Sequence, residues 1–301
     1  MVVLKLFSIQ SGVFLATLIW CAAAFADGQA SGPVTWPEVL AQQAGPADLT
    51  VAYGAHPDQF GELRLPDAPG PHRVVVLIHG GCWLPDFDLV HVRPLAEAIT
   101  ALGLATWTIE YRRPAEGEQS WPNTFTDAAA ALDKLRDLRA EYALNLDSVT
   151  VMGHSAGGQL ALWLAARPTF AADHPLVQAD PLPVQRVLAL APITDMVNYA
   201  QANQGCPLGA RRVVGGLPDD YPERYRAVSP LANLAPGVRT DVVHAIEDRI
   251  VPILQSTALV ERLNQLEGRA ELHKLPAPAG HFDVLMADGE AWELIAELLT
   301  E

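Results

Sequence analysis

From residue 74 onward, short runs of β-branched and other apolar residues alternate with stretches whose apolar positions recur every three or four residues. The runs lie at 74–78, 104–111, 149–152, 187–191 and 241–246, and the stretches at 92–102, 125–142, 156–167 and 253–266. A run without polar alternation predicts a strand buried on both faces, and strands separated by helices predict a parallel sheet covered on each side. Ahead of this rhythm, 50–53 and 61–65 predict an opening hairpin; behind it, 271–275 and 291–299 predict a last strand and a closing helix. The expected fold class is α/β, a mostly parallel central sheet of about eight strands with helices on both faces. Residues 194–236 break the pattern. Gly205, Pro207, Gly209, Gly215, Gly216, Pro218, Pro222 and Pro230 punctuate them, which predicts a small irregular cap inserted into the domain.

Hydrophobic residues at 50% and charged residues at 18% of 301 supply one large core. No repeat or linker divides the chain, so residues 27–301 are expected to form a single domain. Lys and Arg number 20 against 35 Asp and Glu, a net charge of −15. A chain of that sign does not grip phosphate backbones without sequence preference, which removes nucleic acid from the partners. No HExxH, CxxC or glycine-rich dinucleotide loop occurs, so neither a metal nor a redox cofactor is expected.

Residues 1–26 read as a secretory signal: Lys5 is the only charge before an apolar run at 6–20, and Ala24 and Ala26 put small residues at a cleavage point before Asp27. Two rivals are an uncleaved anchor and a lipoprotein attached at Cys21, against which stand the bulky Trp20 and the polar Ser8, Gln10 and Ser11. The expectation is a periplasmic or secreted protein with no stable membrane insertion after signal removal. Cys82 and Cys206 then remain, an even count in an oxidising compartment, and a disulfide between them is possible; two separate thiols are the alternative.

The segment Val151-Met152-Gly153-His154-Ser155-Ala156-Gly157-Gly158 places GxSxG where a buried strand gives way to a helix. That context makes a nucleophile elbow of a motif that otherwise arises by chance in glycine-rich turns. Ser155 is the candidate nucleophile, and the helix beginning at Ala156 would aim its free N–H groups at a developing oxyanion. His79-Gly80-Gly81-Cys82-Trp83 follows another buried strand, and amides at Gly80 or Gly81 are expected to complete the oxyanion hole with that of Ala156. His79 reads as a structural hydrogen-bonding residue. Trp83 reads either as core or as a wall of the substrate pocket, and His154 is placed in the same pocket.

Serine needs a base, and the base needs a carboxylate to fix its tautomer. With this elbow the chain order is serine, acid, histidine, which leaves His174, His244, His273 and His281. His174 precedes the next two strands, and His244 and His273 fall inside strand patterns. His281, in a loop between the last strand and the last helix, is the candidate base. Asp248 follows the strand at 241–246 at the required sheet edge and is the candidate acid. Asp195 is a substitute; Glu247 is one position off, and Asp283 is too near His281 in sequence.

With these residues in place, the chain from about Val51 onward resembles the α/β-hydrolase superfamily. HGGCW, Ile109-Glu110-Tyr111-Arg112-Arg113 and GHSAGG are similar to the branch of kynurenine formamidase-like (BD-FAE-like) and hormone-sensitive-lipase-like esterases, and prolyl oligopeptidase catalytic domains are related. The resemblance implies Ser155, Asp248 and His281 as a triad and amides near Gly80, Gly81 and Ala156 as the oxyanion hole. It departs at Cys82, where such esterases often carry an aromatic or aliphatic residue, and at His154, where the lipase-like group has an acid. Tyr111, Arg112 and Arg113 read as loop-holding residues, with a substrate carboxylate as the alternative ligand. The expected function is a serine hydrolase acting on small-molecule carboxylic esters. The alternatives are an amide-cleaving hydrolase and a catalytically inactive binding protein.

Overall fold

The structure, a computed structural model, describes residues 32–115 and 121–301. The expected signal segment lies outside the described residues. Residues 32–301 form one compact unit, and among the described residues no helix is long and apolar enough to cross a membrane.

Eight strands, β1 (Leu49–Ala52), β2 (Phe60–Arg64), β3 (His72–Ile78), β4 (Ala105–Ile109), β5 (Leu144–His154), β6 (Arg186–Leu190), β7 (Arg239–Ala245) and β8 (Ala270–Leu275), form one sheet in the order β1-β2-β4-β3-β5-β6-β7-β8. β1 pairs antiparallel with β2, and β2 antiparallel with β4; every later pairing is parallel. The continuous apolar runs have the cause expected of them. Along β3, Val74, Val76 and Ile78 enter one core while Val75 and Leu77 enter another on the opposite face.

The helices are α1 (Trp36–Ala41), α2 (Arg93–Ala101), α3 (Asn123–Asp133), α4 (Leu135–Leu138), α5 (Ala156–Ala166), α6 (Met196–Gln201), α7 (Pro207–Val214), α8 (Pro222–Val228), α9 (Leu254–Gln265) and α10 (Gly289–Thr300). α3, α5 and α9 share the first core, and α2 and α10 the second. Every residue of α5 is buried. It is covered outside by the cap, to which Gln159 and Trp163 donate side-chain hydrogen bonds at the Val228 and Ala227 carbonyls, 2.8 and 3.0 Å.

The structure corrects two readings. The helical stretch expected at 125–142 is divided into α3 and α4. The cap is not irregular: it holds the short helices α6, α7 and α8. Pro207 and Pro222 begin α7 and α8 at the first-turn position, where proline's missing N–H has no partner to lose, and Gly215 ends α7 at φ 103°. Pro207, Gly215 and Pro222, which looked like breakers, are helix boundaries, while Gly209 lies inside α7.

Cys82, in the loop after β3, and Cys206, preceding α7, are joined by a disulfide with Cα atoms 5.7 Å apart. It closes 124 residues of chain, which in the chain-entropy model stabilises the fold by about 4–5 kcal/mol. Digestion of unreduced protein is expected to release a cross-linked peptide pair that dithiothreitol separates, and the reduced protein is expected to unfold at lower temperature. Free thiols at both positions in the unreduced chain would contradict the bridge.

Candidate active site

β5 runs directly into α5 through Ser155, whose φ of 55° and ψ of −116° lie where a side chain is strained. Its backbone is pinned on both sides: Ser155 N–H donates to the Leu190 carbonyl at 2.8 Å, and the Ser155 carbonyl accepts from Gln159 N at 3.0 Å. Gly157 makes the turn possible. A Cβ there would lie 2.2 Å from the Ile78 carbonyl oxygen and 2.5 Å from that of His79, so only glycine lets α5 settle against the end of β3.

That contact brings the loop after β3 beside Ser155. A Cβ on Gly80 would lie 2.8 Å from His154 Nδ1 and 3.3 Å from Ser155 Cβ. Gly81, Cys82 and Trp83 follow with φ of 100°, 60° and 54°. Behind the loop, buried Glu110 accepts from the N–H groups of Leu89 and Tyr111 at 3.0 and 2.9 Å and pairs with Arg113. His79 Nε2 lies 2.8 Å from the same carboxylate, and its ring stacks on Tyr111 at 4.4 Å between centroids. Tyr111 O–H donates to the His79 carbonyl at 2.9 Å. Arg112 forms a two-pronged pair with Asp127, both distances 2.7 Å. The group Tyr111, Arg112 and Arg113 is thus engaged with protein partners.

His281 and Asp248 meet from different loops. His281 Nδ1 lies 2.6 Å from Asp248 Oδ2, and both residues are nearly buried. The other oxygen, Asp248 Oδ1, accepts the N–H groups of Ile250 and Val251, each at 2.8 Å. Burial alone would raise the Asp248 carboxyl. Hydrogen bonds from His244 and His281, the charge of a protonated His281 and the Val251 N–H outweigh it and hold the group well below the usual carboxylate range. Of the other acids weighed, Asp195 caps α6 through Asn198 N–H at 3.0 Å, Glu247 is exposed, and Asp283 accepts from Gly280 N–H at 2.8 Å.

His154, next to the elbow serine, ties the His281 loop to it. Its Nε2–H donates to the His281 carbonyl at 3.0 Å, and the two rings lie 4.5 Å apart. Burial, with His281 and His91 nearby, holds His154 well below the ordinary histidine value, so the ring is neutral. Among the hydrogen bonds of the described residues none joins the Ser155 hydroxyl to His281. Ser155 itself is 1% exposed.

The structure corrects the placing of Trp83 and His154 in a substrate pocket. Trp83 is 0% exposed and belongs to the core, and His154 is 3% exposed beneath His281 and Phe282. Sequence reasoning also passed over Glu110 as a loop anchor and set aside His244, which lies 3.2 Å from Asp248 Oδ2. Its only sequence signal is the four-residue spacing to Asp248.

Residues 63–263, more than half of the chain, match the BD-FAE family. The chain belongs to that family. Among curated proteins it is 25% identical over 271 residues to "Probable carboxylic ester hydrolase LipM" of Mycobacterium tuberculosis, covering 88% of this chain and 62% of the relative. It is 26% identical over 250 residues to "Esterase LipC" of the same organism, with 78% and 60% covered. The chain therefore spans about three fifths of the length of these relatives. Among solved structures, a truncated carbohydrate esterase from gut microbiota superposes with a TM-score of 0.72 at 18% identity, covering 90% of this chain and 98% of that one. Thermogutta terrifontis esterase 2 phosphonylated by sarin superposes with a TM-score of 0.70 at 19% identity, covering 88% and 95%. These likenesses show the BD-FAE chain to have the α/β-hydrolase fold.

Gly157→Ala is expected to push α5 off β3 and abolish labelling of the chain by a fluorophosphonate probe; labelling at the wild-type rate would contradict the elbow geometry. Asp248 gives a pH expectation. A carboxyl depressed by folding contributes stability that is complete above its unfolded value of about 3.9 and is lost as pH falls toward its folded value. The gap in melting temperature between wild type and Asp248→Asn should therefore hold from pH 7 to about 5 and narrow below about pH 4. A gap that already closes near pH 6 would contradict the depressed carboxyl.

Proposed function

We propose that the protein is a serine esterase that cleaves small carboxylic esters through an acyl-enzyme. The observation that carries this reading is the His281–Asp248 pair, 2.6 Å apart, held by His154 beside the strained Ser155. Substrate binding brings the Ser155 hydroxyl within reach of His281 Nε2, a contact that often tightens only in the Michaelis complex. His281 takes the hydroxyl proton as Ser155 Oγ bonds to the acyl carbon. The carbonyl oxygen becomes an oxyanion facing amides at Gly80, Gly81 and Ala156, none of which has an acceptor among the described residues. His281 then returns the proton to the leaving alcohol, and water repeats the sequence to release the acid and restore Ser155. Asp248 stays ionised and stabilises the imidazolium.

The names of LipM and LipC, a carboxylic ester hydrolase and an esterase, support ester over amide substrates. The disulfide and the apolar stretch near the N-terminus support export to an oxidising compartment.

Turnover of p-nitrophenyl acetate and butyrate tests the reading. Ser155→Ala is expected to lower kcat by about 10⁴-fold or more and to eliminate fluorophosphonate labelling. Asp248→Asn is expected to lose about 10³- to 10⁴-fold. Retained turnover in Ser155→Ala would remove the serine from the mechanism, and faster cleavage of matched formamides or aminoacyl amides would reassign the substrate class.

A further inference from the structure

The proposed mechanism makes no use of the second histidine at Asp248. His244, near the end of β7, is fully buried, as is Ser256 in α9. Its Nε2 lies 2.9 Å from the Val251 carbonyl oxygen and 3.2 Å from Asp248 Oδ2; its Nδ1 lies 2.6 Å from Ser256 Oγ. Both neighbours of Nε2 are acceptors, so Nε2 carries a proton. In the neutral ring Nδ1 then accepts the Ser256 hydroxyl proton, and every polar atom in the group is satisfied.

The same contacts close a ring around the acid. Val251 donates its N–H to Asp248 Oδ1 and receives at its carbonyl the N–H of His244. His244 faces the oxygen that also meets His281. One side of Oδ2 is thus covered by the buried His244 ring, whose Nε2–H is bonded to the Val251 carbonyl and lies 3.2 Å from Oδ2, which leaves the other side for His281 Nδ1.

We propose that His244, oriented by Ser256, is a positioning residue that sets the direction in which Asp248 Oδ2 faces His281. This rests on the reading of Ser155, Asp248 and His281 as the reacting group. Without the ring at 244 the Val251 carbonyl loses its bond to β7 and Oδ2 loses its neighbour on one side, while Oδ1 keeps the Ile250 and Val251 N–H groups, so the carboxylate keeps its place and its Oδ2 edge is less narrowly directed. A base whose tautomer and direction are poorly fixed turns over slowly even when substrate binds normally.

The test uses the full chain with His244→Phe, which keeps a planar ring and removes the donor, and His244→Gln, whose side-chain amide can donate near the position of Nε2. Exhaustive fluorophosphonate labelling counts competent Ser155 sites, and kcat and KM for p-nitrophenyl acetate are expressed per labelled site. His244→Phe is expected to lower kcat about 10- to 100-fold with KM nearly unchanged, a size typical of residues that orient a reacting group from behind. It is also expected to displace the downfield proton resonance of the His281–Asp248 hydrogen bond. His244→Gln should restore most of both. Should His244→Phe not fold, Ser256→Ala is the second variant: it leaves the ring but releases its tautomer, and a several-fold fall in kcat per site is expected. Wild-type kcat per site and an unmoved resonance in the folded variants would overturn the proposal and leave His244 as packing alone. Failure of the underlying reading looks different: wild-type chain unlabelled by the probe, or Ser155→Ala active, would remove the proposal together with the serine mechanism.

Discussion

The site depends on how closely two backbones approach where β3 ends and α5 begins. The Ile78 carbonyl occupies the space that a side chain on residue 157 would need. This contact lets α5 start immediately after Ser155 and holds the serine in its strained conformation. It also puts the loop carrying Gly80 and Gly81 beside the hydroxyl. Strain of order 1–3 kcal/mol at one residue persists only when its surroundings over-determine it. Here a fully buried helix, the Leu190 carbonyl and the neighbouring strand do so.

The cap is more than a cover for that helix. Cys206, at its turn into α7, is bonded to Cys82 on the glycine loop, and its N–H donates to the Tyr199 hydroxyl at 3.0 Å. Gly205 packs against the carbonyl oxygen of Ile250, whose own N–H is bound by Asp248. One short cap segment therefore touches the loop expected to bind the oxyanion and the loop that presents the acid. The cap is tied to the first loop by a covalent bond and to the second by close backbone packing.

Much of this was legible in the sequence for a specific reason. Strands such as β3 bury both faces, so Val74 to Ile78 read as an unbroken apolar run, and GxSxG could be placed between such a run and a helix. His281 and Asp248 followed from their positions after strands, and the structure brings them together. The cap helices were hidden because proline breaks a helix and also begins one. Trp83 follows two residues with left-handed φ and itself has φ 54°, a local conformation that no hydrophobic pattern reveals, and its ring turns into the core. His244 was set aside because a strand interior is ordinarily apolar. Its partners come from a loop carbonyl and a helix serine at no fixed spacing.

The buried carboxylates also differ in what neutralises them. Glu62 is paired with Arg93, Glu110 with Arg113, Asp127 with Arg112, and Asp241 with Arg186. Each of these carboxylates faces a permanent cation, and its field is spent on a static bond. Among the described ion pairs Asp248 has only histidines, His244 and His281. Its charge is held instead by the backbone N–H groups of Ile250 and Val251 in its own loop, which are dipoles and carry no net charge. The attraction of a buried anion for a cation, large at low effective dielectric, therefore remains available for the imidazolium that the proposed mechanism forms at His281. An arginine at position 244 would satisfy the same oxygen and cancel that advantage. A partner without a permanent charge at position 244 fits the proposed role, in which the carboxylate is oriented and its charge is left for the imidazolium.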